Sequence, residues 1–357
     1  MHRRSFVQNA VASGIAVSAT AAFGWPLTGL AQEQDATPAA GSVPEFQPGV
    51  IDTLLGPVEL PENPTRVICI NDGPVDTMLN LGLTPLATGF SYGGQGIMTY
   101  LQPLAEEEIE YLGDWDSLDL ERIVELKPDL VLAEGRGRFT GTTAEEAEAD
   151  PVVQAIRAVA PLVIPNDIDT SDPMGLQYFE YSHLVWSHCL GKLDEGQAIL
   201  DAQREATAQL KADLADYEGQ TSIVVRPLPE YPLVMSQDWF TGMLLRRVGI
   251  VGNDYAESVE YPHSGDTLSM ERIHELDADW IFLCPRFTSE QAAERDEVLQ
   301  AYFDNPLFAS LPAISEGTYG IVDGQVWSGA NSMIAADLVL EDIRRVILEG
   351  VQDTLSS

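Results

Sequence analysis

The chain has 357 residues, and a length of this kind allows about two folded domains. Its 19 Lys and Arg residues stand against 56 Asp and Glu residues, which gives a formal net charge of −37. Such an acidic surface repels phosphate backbones and anionic headgroups, so nucleic-acid binding and membrane attachment through a basic patch are disfavoured. The three cysteines are too few for a disulfide framework, and we expect three reduced thiols in the core.

Residues 1–31 have the pattern of a targeting segment. Arg3 and Arg4 precede a weakly apolar stretch that runs to Leu30. This resembles a twin-arginine export signal, with cleavage after Ala31. A membrane anchor is the weaker alternative, because three glycines and a proline interrupt the apolar run. Residues 32–47 have the composition of a disordered spacer, so we expect a soluble mature protein in the periplasm or another extracytoplasmic space.

An internal repeat relates residues 117–135 to residues 267–285. In both copies, apolar residues at helical spacing follow a suitable N-cap, Asp119 or Ser269, and lead into a short apolar run. Each copy therefore predicts a helix followed by a strand of a parallel sheet that is covered on both faces. Seven of the 19 aligned positions are identical: Leu118/Leu268, Glu121/Glu271, Arg122/Arg272, Ile123/Ile273, Glu125/Glu275, Leu126/Leu276 and Asp129/Asp279.

Two such units predict an α/β fold with two lobes, at residues 48–192 and 219–357, and a ligand cleft between them. Each lobe is expected to contain a helix that stops at a glycine, Gly82 or Gly249. Residues 193–218 join the lobes and favour one backbone helix of roughly 37 Å, the alternative being an ordinary lobe helix followed by a loop. The expected strands lie near 66–71, 85–90, 129–134, 162–165, 221–226, 233–236, 279–284 and 319–322.

The signal, the two lobes, the linking helix and the repeat together resemble the helical-backbone (class III) substrate-binding proteins of ABC importers. Members of this family capture ferric siderophores, haem and cobalamin. The resemblance covers nearly all of residues 48–350 and is nearest to the ferrichrome- and hydroxamate-siderophore-binding proteins. The matching segments are Arg66-Val-Ile, Gly82-Leu-Thr-Pro85, Leu112-Gly-Asp114, Asn305-Pro-Leu-Phe308 with Leu311-Pro312, and Val326-Trp-Ser-Gly-Ala330.

The resemblance implies a monomer that binds a small iron chelate without covalent chemistry and without a cofactor, and delivers it to a dimeric permease. A ferric siderophore is the expected ligand, and haem and cobalamin are the alternatives within the family. Hydroxamate binders carry an arginine shortly after the Leu-Gly segment, where this chain has Trp115. The chelator class is therefore left open.

Ligands of open parallel sheets bind beyond the carboxyl ends of the strands. Arginines at those ends suit an anionic chelate, and aromatic rings offer stacking surfaces. The alternatives are that each arginine pairs with a surface carboxylate and that each aromatic ring packs in the core. Arg226 and Arg286 are favoured because they directly follow apolar strands. The expected ligand-binding residues are Tyr92, Trp115, Arg136, Arg226, Trp239, Arg286 and Trp327.

Enzymatic motifs are sparse in this sequence. It contains neither His-Glu-x-x-His nor Gly-x-Ser-x-Gly. Outside residues 1–31, the only histidines are His183, His188, His263 and His274, too scattered for a zinc site. We therefore expect no catalytic residues and no resident metal, with an enzyme or a sensory module on this fold as the alternative.

Glu121 and Glu271 occupy equivalent positions in the two repeats, two residues after the expected N-caps. A carboxylate in a first helical turn is favoured by the helix dipole alone, by roughly 0.3–1 kcal/mol. In the family resemblance, glutamates at these positions dock one lobe each onto the two permease subunits. A binding protein with two equivalent lobes would then present two equivalent charges to a two-fold partner.

Overall fold

The computed structural model describes residues 45–91, 96–105, 108–114, 117–135, 143–260, 265–287 and 291–355. The expected export signal and nearly all of the expected spacer lie outside this part of the chain. Among the described residues, no helix is long and apolar enough to cross a membrane.

The first lobe is built on a five-stranded parallel sheet in the order β5-β4-β3-β6-β7. Its strands are β3 (Val67–Ile70), β4 (Ala87–Gly89), β5 (Glu110–Tyr111), β6 (Leu130–Ala133) and β7 (Leu162–Val163). An antiparallel hairpin precedes it, formed by β1 (Val50–Thr53) and β2 (Gly56–Glu59). The helices are α1 (Asp72–Asn80), a 3-10 turn (Gln102–Leu104), α2 (Leu120–Leu126), α3 (Ala144–Ala149), α4 (Pro151–Arg157) and α5 (Tyr178–Cys189).

The second lobe has a mixed sheet in the order β11-β9-β8-β12-β13, with β10 beside the start of β8. Its strands are β8 (Thr221–Pro227), β9 (Pro232–Met235), β10 (Val251–Gly252), β11 (Gly265–Thr267), β12 (Trp280–Leu283) and β13 (Tyr319–Ile321). The helices are α7 (Phe240–Arg247), α8 (Asp254–Ser258), a 3-10 helix (Met270–Leu276), α9 (Ala292–Asp304), α10 (Pro306–Ala309), α11 (Pro312–Glu316), α12 (Gly324–Ser328) and α13 (Met333–Ile347).

The expectation of a wholly parallel sheet is wrong for the second lobe. Strands β9 and β8 are antiparallel, and β11 is antiparallel to β9. Only residues 228–231 connect β8 to β9, whereas a parallel pair needs a crossover of a dozen or more residues. The connection is therefore long enough for a hairpin only.

The linking helix is α6 (Leu193–Asp213), followed by a 3-10 turn (Ala215–Tyr217). Its 21 residues extend over roughly 32 Å. It packs against α5, and on its other side against α7 and α13 of the second lobe. A Cβ atom at Gly196 would lie 2.3 Å from the Ser187 Oγ atom, so α5 and α6 approach closely because this position has no side chain.

The helices α1 and α7 end as the sequence predicts. Gly82 and Gly249 follow them with φ angles of 71° and 95°, in the left-handed region that glycine adopts at low cost.

Side chains alternate between the two faces of a strand, so each central strand contributes to two different hydrophobic cores. In β6, Leu130 and Leu132 face a core that both lobes share, while Val131 and Ala133 face the outer core of the first lobe. In β12, Phe282 faces the shared core and Ile281 the outer core of the second lobe. The shared core joins the lobes into one body.

Candidate ligand-binding cleft

The two lobes meet beyond the carboxyl ends of their central strands. The first-lobe segment after β4 contacts α12, because the Thr99 backbone N–H and Oγ both donate to the Gln325 Oε1, at 2.9 and 3.0 Å. A Cβ atom at Gly329 would lie 3.2 Å from the Met98 Cε and 3.6 Å from the Arg286 Cζ. Arg286 therefore lies at the junction of the lobes, as its position after β12 predicts.

Arg226 is half-buried near the end of β8, opposite Leu233 of β9. Its Nε is fully buried and has no hydrogen-bond partner in the described part of the chain. A buried N–H without an acceptor is costly, and an anionic ligand group is one way to satisfy it. Burial raises the pKa of the neighbouring Cys284 thiol to about 12, and the positive charge of Arg226 opposes that shift.

The two described tryptophans of the predicted ligand set differ in their surroundings. Trp239 immediately precedes α7 and keeps 9% of its surface exposed. Trp327 has no exposed surface, stacks on Phe282 with ring centroids 4.7 Å apart, and donates its indole N–H to the Asp342 Oδ2 at 2.8 Å. In this structure Trp327 offers no ring surface to a ligand, and the core-packing alternative describes it.

Three of the expected ligand-binding residues, Tyr92, Trp115 and Arg136, lie outside the described residues. Their roles stay predictions.

The first-lobe side of the cleft carries carboxylates that the sequence reasoning did not single out. The Ser91 Oγ donates to the Asp72 Oδ1 at 2.9 Å, and Glu134 is buried at the end of β6. These residues could have been identified in the sequence from their positions, because Asn71, Asp72 and Glu134 come directly after central strands. Asn71 and Phe90, which follow β3 and β4, have φ angles of 85° and 51°. Non-glycine residues in this region concentrate at functional sites.

The histidines on α5 point to different surroundings, as their spacing predicts. His183 is buried between the Thr77 Oγ and the Gly196 carbonyl oxygen, and burial lowers its pKa to about 4. His188 stacks on Phe46 at 4.9 Å. His263 lies outside the described residues, and the described part of the chain contains no group of three or more His, Cys, Asp or Glu side chains that could hold a metal. All three cysteines are buried and free.

Residues 187–320, which run from the end of α5 into β13, match the family model described as "Periplasmic binding protein". The chain is thus similar to this family over that segment, which is more than a third of its length. It is similar to the probable siderophore-binding lipoprotein YfiY of Bacillus subtilis, with 23% identity over 81% of this chain and 84% of the relative. It is also similar to the achromobactin-binding periplasmic protein of Dickeya dadantii, with 25% identity over 79% of this chain and 86% of the relative.

A solved structure shares the fold of this chain. Staphylococcus aureus SirA, crystallised with staphyloferrin B, matches 83% of this chain and 97% of its own chain, with a TM-score of 0.65 and 19% identity. The match includes both lobes of the present chain, so the two-lobe α/β fold predicted from the repeat is confirmed.

Glu121 and Glu271 are both exposed. Glu121 lies in the first turn of α2, where the Asp119 Oδ1 caps the helix by accepting from the Arg122 backbone N–H at 2.9 Å. Glu271 lies in the 3-10 helix that follows Ser269. Neither carboxylate forms an ion pair or a side-chain hydrogen bond with any described residue. Both are therefore accessible to a partner, and their docking role stays a prediction.

Proposed function

We propose that this chain is an extracytoplasmic solute-binding protein that captures a ferric siderophore and delivers it to the permease of an ABC importer. The observation that carries this proposal is the similarity to proteins named for siderophore binding, which extends over about four-fifths of the chain. A match of that extent covers both lobes and hence both walls of the cleft. The proposed activity is binding and delivery, with no chemical step and no cofactor.

The side chains of the second lobe favour an anionic ligand. Arg226 lies near the end of β8 and Arg286 follows β12, in a chain whose net charge is −37, so they bring positive charge to a cleft in an otherwise acidic molecule. Guanidinium groups bind carboxylate and phenolate oxygens through several fixed donors. We infer that the bound species is a negatively charged iron chelate whose iron remains coordinated by the chelator alone.

A thermal-shift screen of the chain without its first 31 residues tests the ligand class. Ferric staphyloferrin B, ferric enterobactin and ferrioxamine B represent carboxylate, catecholate and hydroxamate chelators, and haem and cobalamin represent the family's other ligands. We expect the largest rise in melting temperature with an anionic ferric chelate, and a smaller rise with the cationic ferrioxamine B, because ligand binding stabilises the folded state by mass action. A rise with Zn²⁺ or Mn²⁺ only would contradict the proposal.

Matched arginine variants then locate the site. Arg226→Gln and Arg286→Gln should each weaken binding of the best ligand at least tenfold, since each removes a cation from the cleft. Arg272→Gln is the control, because Arg272 precedes β12 at the opposite end of the sheet and pairs with Glu275. Equal affinities in all three variants would remove these arginines from the site.

Export through a twin-arginine signal is part of the same proposal. Substitution of Arg3 and Arg4 by lysine should block export, because the export receptor reads the guanidinium pair. Mass spectrometry of the exported protein should find an N-terminus near Gln32. Unchanged export of the lysine variant would contradict the twin-arginine route and leave the siderophore proposal to the ligand screen.

A further inference from the structure

Asp76 is a fully buried carboxylate on α1 of the first lobe, and two of its three partners belong to the second lobe. Its Oδ2 accepts from the Ser332 Oγ at 2.7 Å and from the Tyr100 hydroxyl at 3.3 Å, and its Oδ1 accepts from the Ile334 backbone N–H at 3.2 Å. Ser332 is the N-cap residue of α13, yet its side chain forms no capping hydrogen bond to that helix. The carboxylate from the first lobe takes over the capping of a second-lobe helix.

These contacts adjoin the cleft. Tyr100 also bonds to Ser332, at 3.1 Å between the two hydroxyl oxygens. The adjacent residue Thr99 bonds to Gln325 of α12, and Met98 lies beside Gly329. The segment 98–100 thus connects Asp76 to the junction at which Arg286 lies. A change in the packing of α1 against α13 would move one cleft wall relative to the other.

We propose that Asp76 is a positioning residue that holds the two lobes at a fixed angle by capping α13 from α1. The proposal concerns the ligand-free protein and does not depend on which ligand the cleft takes.

The choice of a carboxylate at this position supports the proposal. Burying a carboxyl group is costly unless donors surround it, and an apolar side chain of similar size would avoid that cost. A helix N-terminus with free N–H groups is a favourable place for a negative charge. Apolar contacts are not directional, whereas hydrogen bonds weaken steeply when their distances and angles change. The hydrogen bonds of Asp76 therefore favour one arrangement of the two lobes more strongly than an apolar side chain would.

The acidity of Asp76 provides a second readout. Burial raises its pKa from the ordinary 3.8 to about 7, against the opposing effect of its hydrogen bonds to Ser332, Ile334, Tyr100 and Ala335. When the lobes separate, water reaches the carboxyl group and its pKa returns towards the ordinary value. Between about pH 4 and pH 7 the packed form therefore holds a proton that the separated form lacks, so lobe packing weakens as pH rises over this range and becomes level above it. The elements that pack against α1 carry other titratable groups: Cys69 on β3, Tyr178, Glu180, Tyr181, His183, His188 and Cys189 on α5, and Asp337, Glu341, Asp342, Arg344 and Arg345 on α13, in addition to Asp72 on α1 itself and Tyr100 beside it.

Hydrogen exchange of the ligand-free chain tests the capping contact. Asp76→Ala should speed amide exchange at least tenfold in segments 332–336 and 97–101, with β3 and β8 unchanged. Asp76→Asn keeps an acceptor for Ile334 and a donor for the two hydroxyls, so it should restore near wild-type protection. The matched control is Asp150→Ala, which removes the carboxylate cap of α4 within the first lobe and should leave segments 332–336 and 97–101 at wild-type protection. Wild-type exchange in Asp76→Ala, or a uniform rise over the whole chain, would overturn the proposal.

Melting temperatures between pH 5.5 and 8.5 supply the pH readout. The wild type should lose stability relative to Asp76→Asn from pH 5.5 to about 7 and no further above that, because only the wild type must give up a proton that burial retains. Burial also raises the pKa of Asp337, to about 6. Because both proteins contain Asp337, its effect on the melting temperature cancels when the two pH profiles are subtracted. Parallel pH profiles of the two proteins would contradict the predicted link between protonation and lobe packing. If Asp76→Ala does not fold, Ser332→Ala with the same exchange readout replaces it.

Discussion

In the first lobe, Asp129 accepts from the backbone N–H groups of Thr65 and Arg66 at 2.8 and 2.9 Å. In the second lobe, the equivalent Asp279 accepts from the Thr221 backbone N–H at 2.7 Å. Both aspartates tie the amino end of one central strand to its parallel neighbour, where the first N–H groups have no ladder partner. Identical residues in the two copies therefore perform the same local task.

The arginines of the two copies pair with equivalent helical glutamates, Glu125 and Glu275, but differ in their other contacts. The Arg122 Nε and Nη2 donate to Glu110 of the edge strand β5, at 2.8 and 3.1 Å. Arg272 pairs with Glu275 of its own helix and lies 5.5 Å above the Tyr255 ring. The first copy forms an α-helix and the second a 3-10 helix. The identical residues of the repeat preserve contacts within each copy, while the elements that surround each copy determine its contacts with the rest of the lobe.

The lobes also contribute opposite charges to the contact between them. The helix α1 supplies Asp76 to α13, whereas α7 supplies Arg247 to Glu180 of α5, with Nη1 and Oε1 3.0 Å apart. Glu180 has no exposed surface, and Arg204 of α6 also donates to it at 3.0 Å. Burial opposes ionisation of Glu180, but the two arginines hold its pKa below the ordinary value. Each lobe therefore depends on a buried titratable side chain from the other.

The largest expected effect tests the two equivalent glutamates. Glu121→Ala combined with Glu271→Ala should abolish uptake and stimulation of the transporter ATPase, since one carboxylate per lobe would dock on each permease subunit. Folding and ligand affinity should remain near wild type, because neither side chain has a partner in the described part of the chain. Reconstituted vesicles with purified transporter supply both measurements.

The single variants compare the lobes directly in the same vesicles. If the lobes dock equivalently, Glu121→Ala and Glu271→Ala should each reduce uptake by a similar factor. Full uptake by the double variant would remove the docking role, and loss of ligand binding would mean that the cleft lies on the other side of the repeat.

Arg247→Met should have the largest effect on stability, about 3 kcal/mol, because it leaves the buried Glu180 with one remaining cation. Urea denaturation followed by circular dichroism measures this change. Arg246→Met is the control on the same helix, since Arg246 pairs with Asp238 and Glu257 nearer the surface. We expect it to cost no more than about 1 kcal/mol. Equal losses in the two variants would show that the contact between the lobes adds nothing beyond the surface pairs.

Asp129→Ala and Asp279→Ala should each cost about 1–2 kcal/mol, because backbone N–H groups lose a charged acceptor. We expect similar values for the two sites, as their contacts are of the same kind. Asn variants at both positions keep one acceptor oxygen and should recover part of the loss. A large difference between the lobes in urea denaturation would mean that the shared position does not perform a shared task.

Arg122→Gln and Arg272→Gln should have the smallest effects, because both arginines are on the surface and solvent screens their charges. Arg122→Gln should lower the melting temperature more, since it releases the edge strand β5 as well as a helical pair. Calorimetry at low and high salt measures the melting temperatures of the two variants and the part of each change that is electrostatic. If Arg272→Gln were the more destabilising, the contrast between the copies would be reversed.

Much of the fold could be predicted from local sequence. All eight expected strands occur near their predicted positions, because short apolar runs bounded by polar residues are local patterns. The ends of α1 and α7 follow from Gly82 and Gly249 for the same reason. The hairpin of β8 and β9 could also have been predicted, because the short connection between these two apolar segments excludes a parallel pair.

The candidate site was less predictable than the strands. Arg286 lies at the junction of the lobes, as its position after β12 indicates, but Trp327 is packed against Phe282, a residue 45 positions earlier in the chain. An aromatic residue after a strand has the same sequence signature whether it faces a cleft or a core.

By itself, the sequence determined the repeat, the strands, the helix ends and the arginines at the strand ends, because periodicity, glycine and charge act over a few neighbouring residues. Tertiary structure alone decided which charges are buried and what satisfies them. Asp76 occupies an ordinary position in a helix, and only the fold brings the start of α13 to it from 256 residues away. A buried carboxylate is tolerated only where hydrogen-bond donors surround it, and donors that are distant in the chain cannot be predicted from the local sequence pattern.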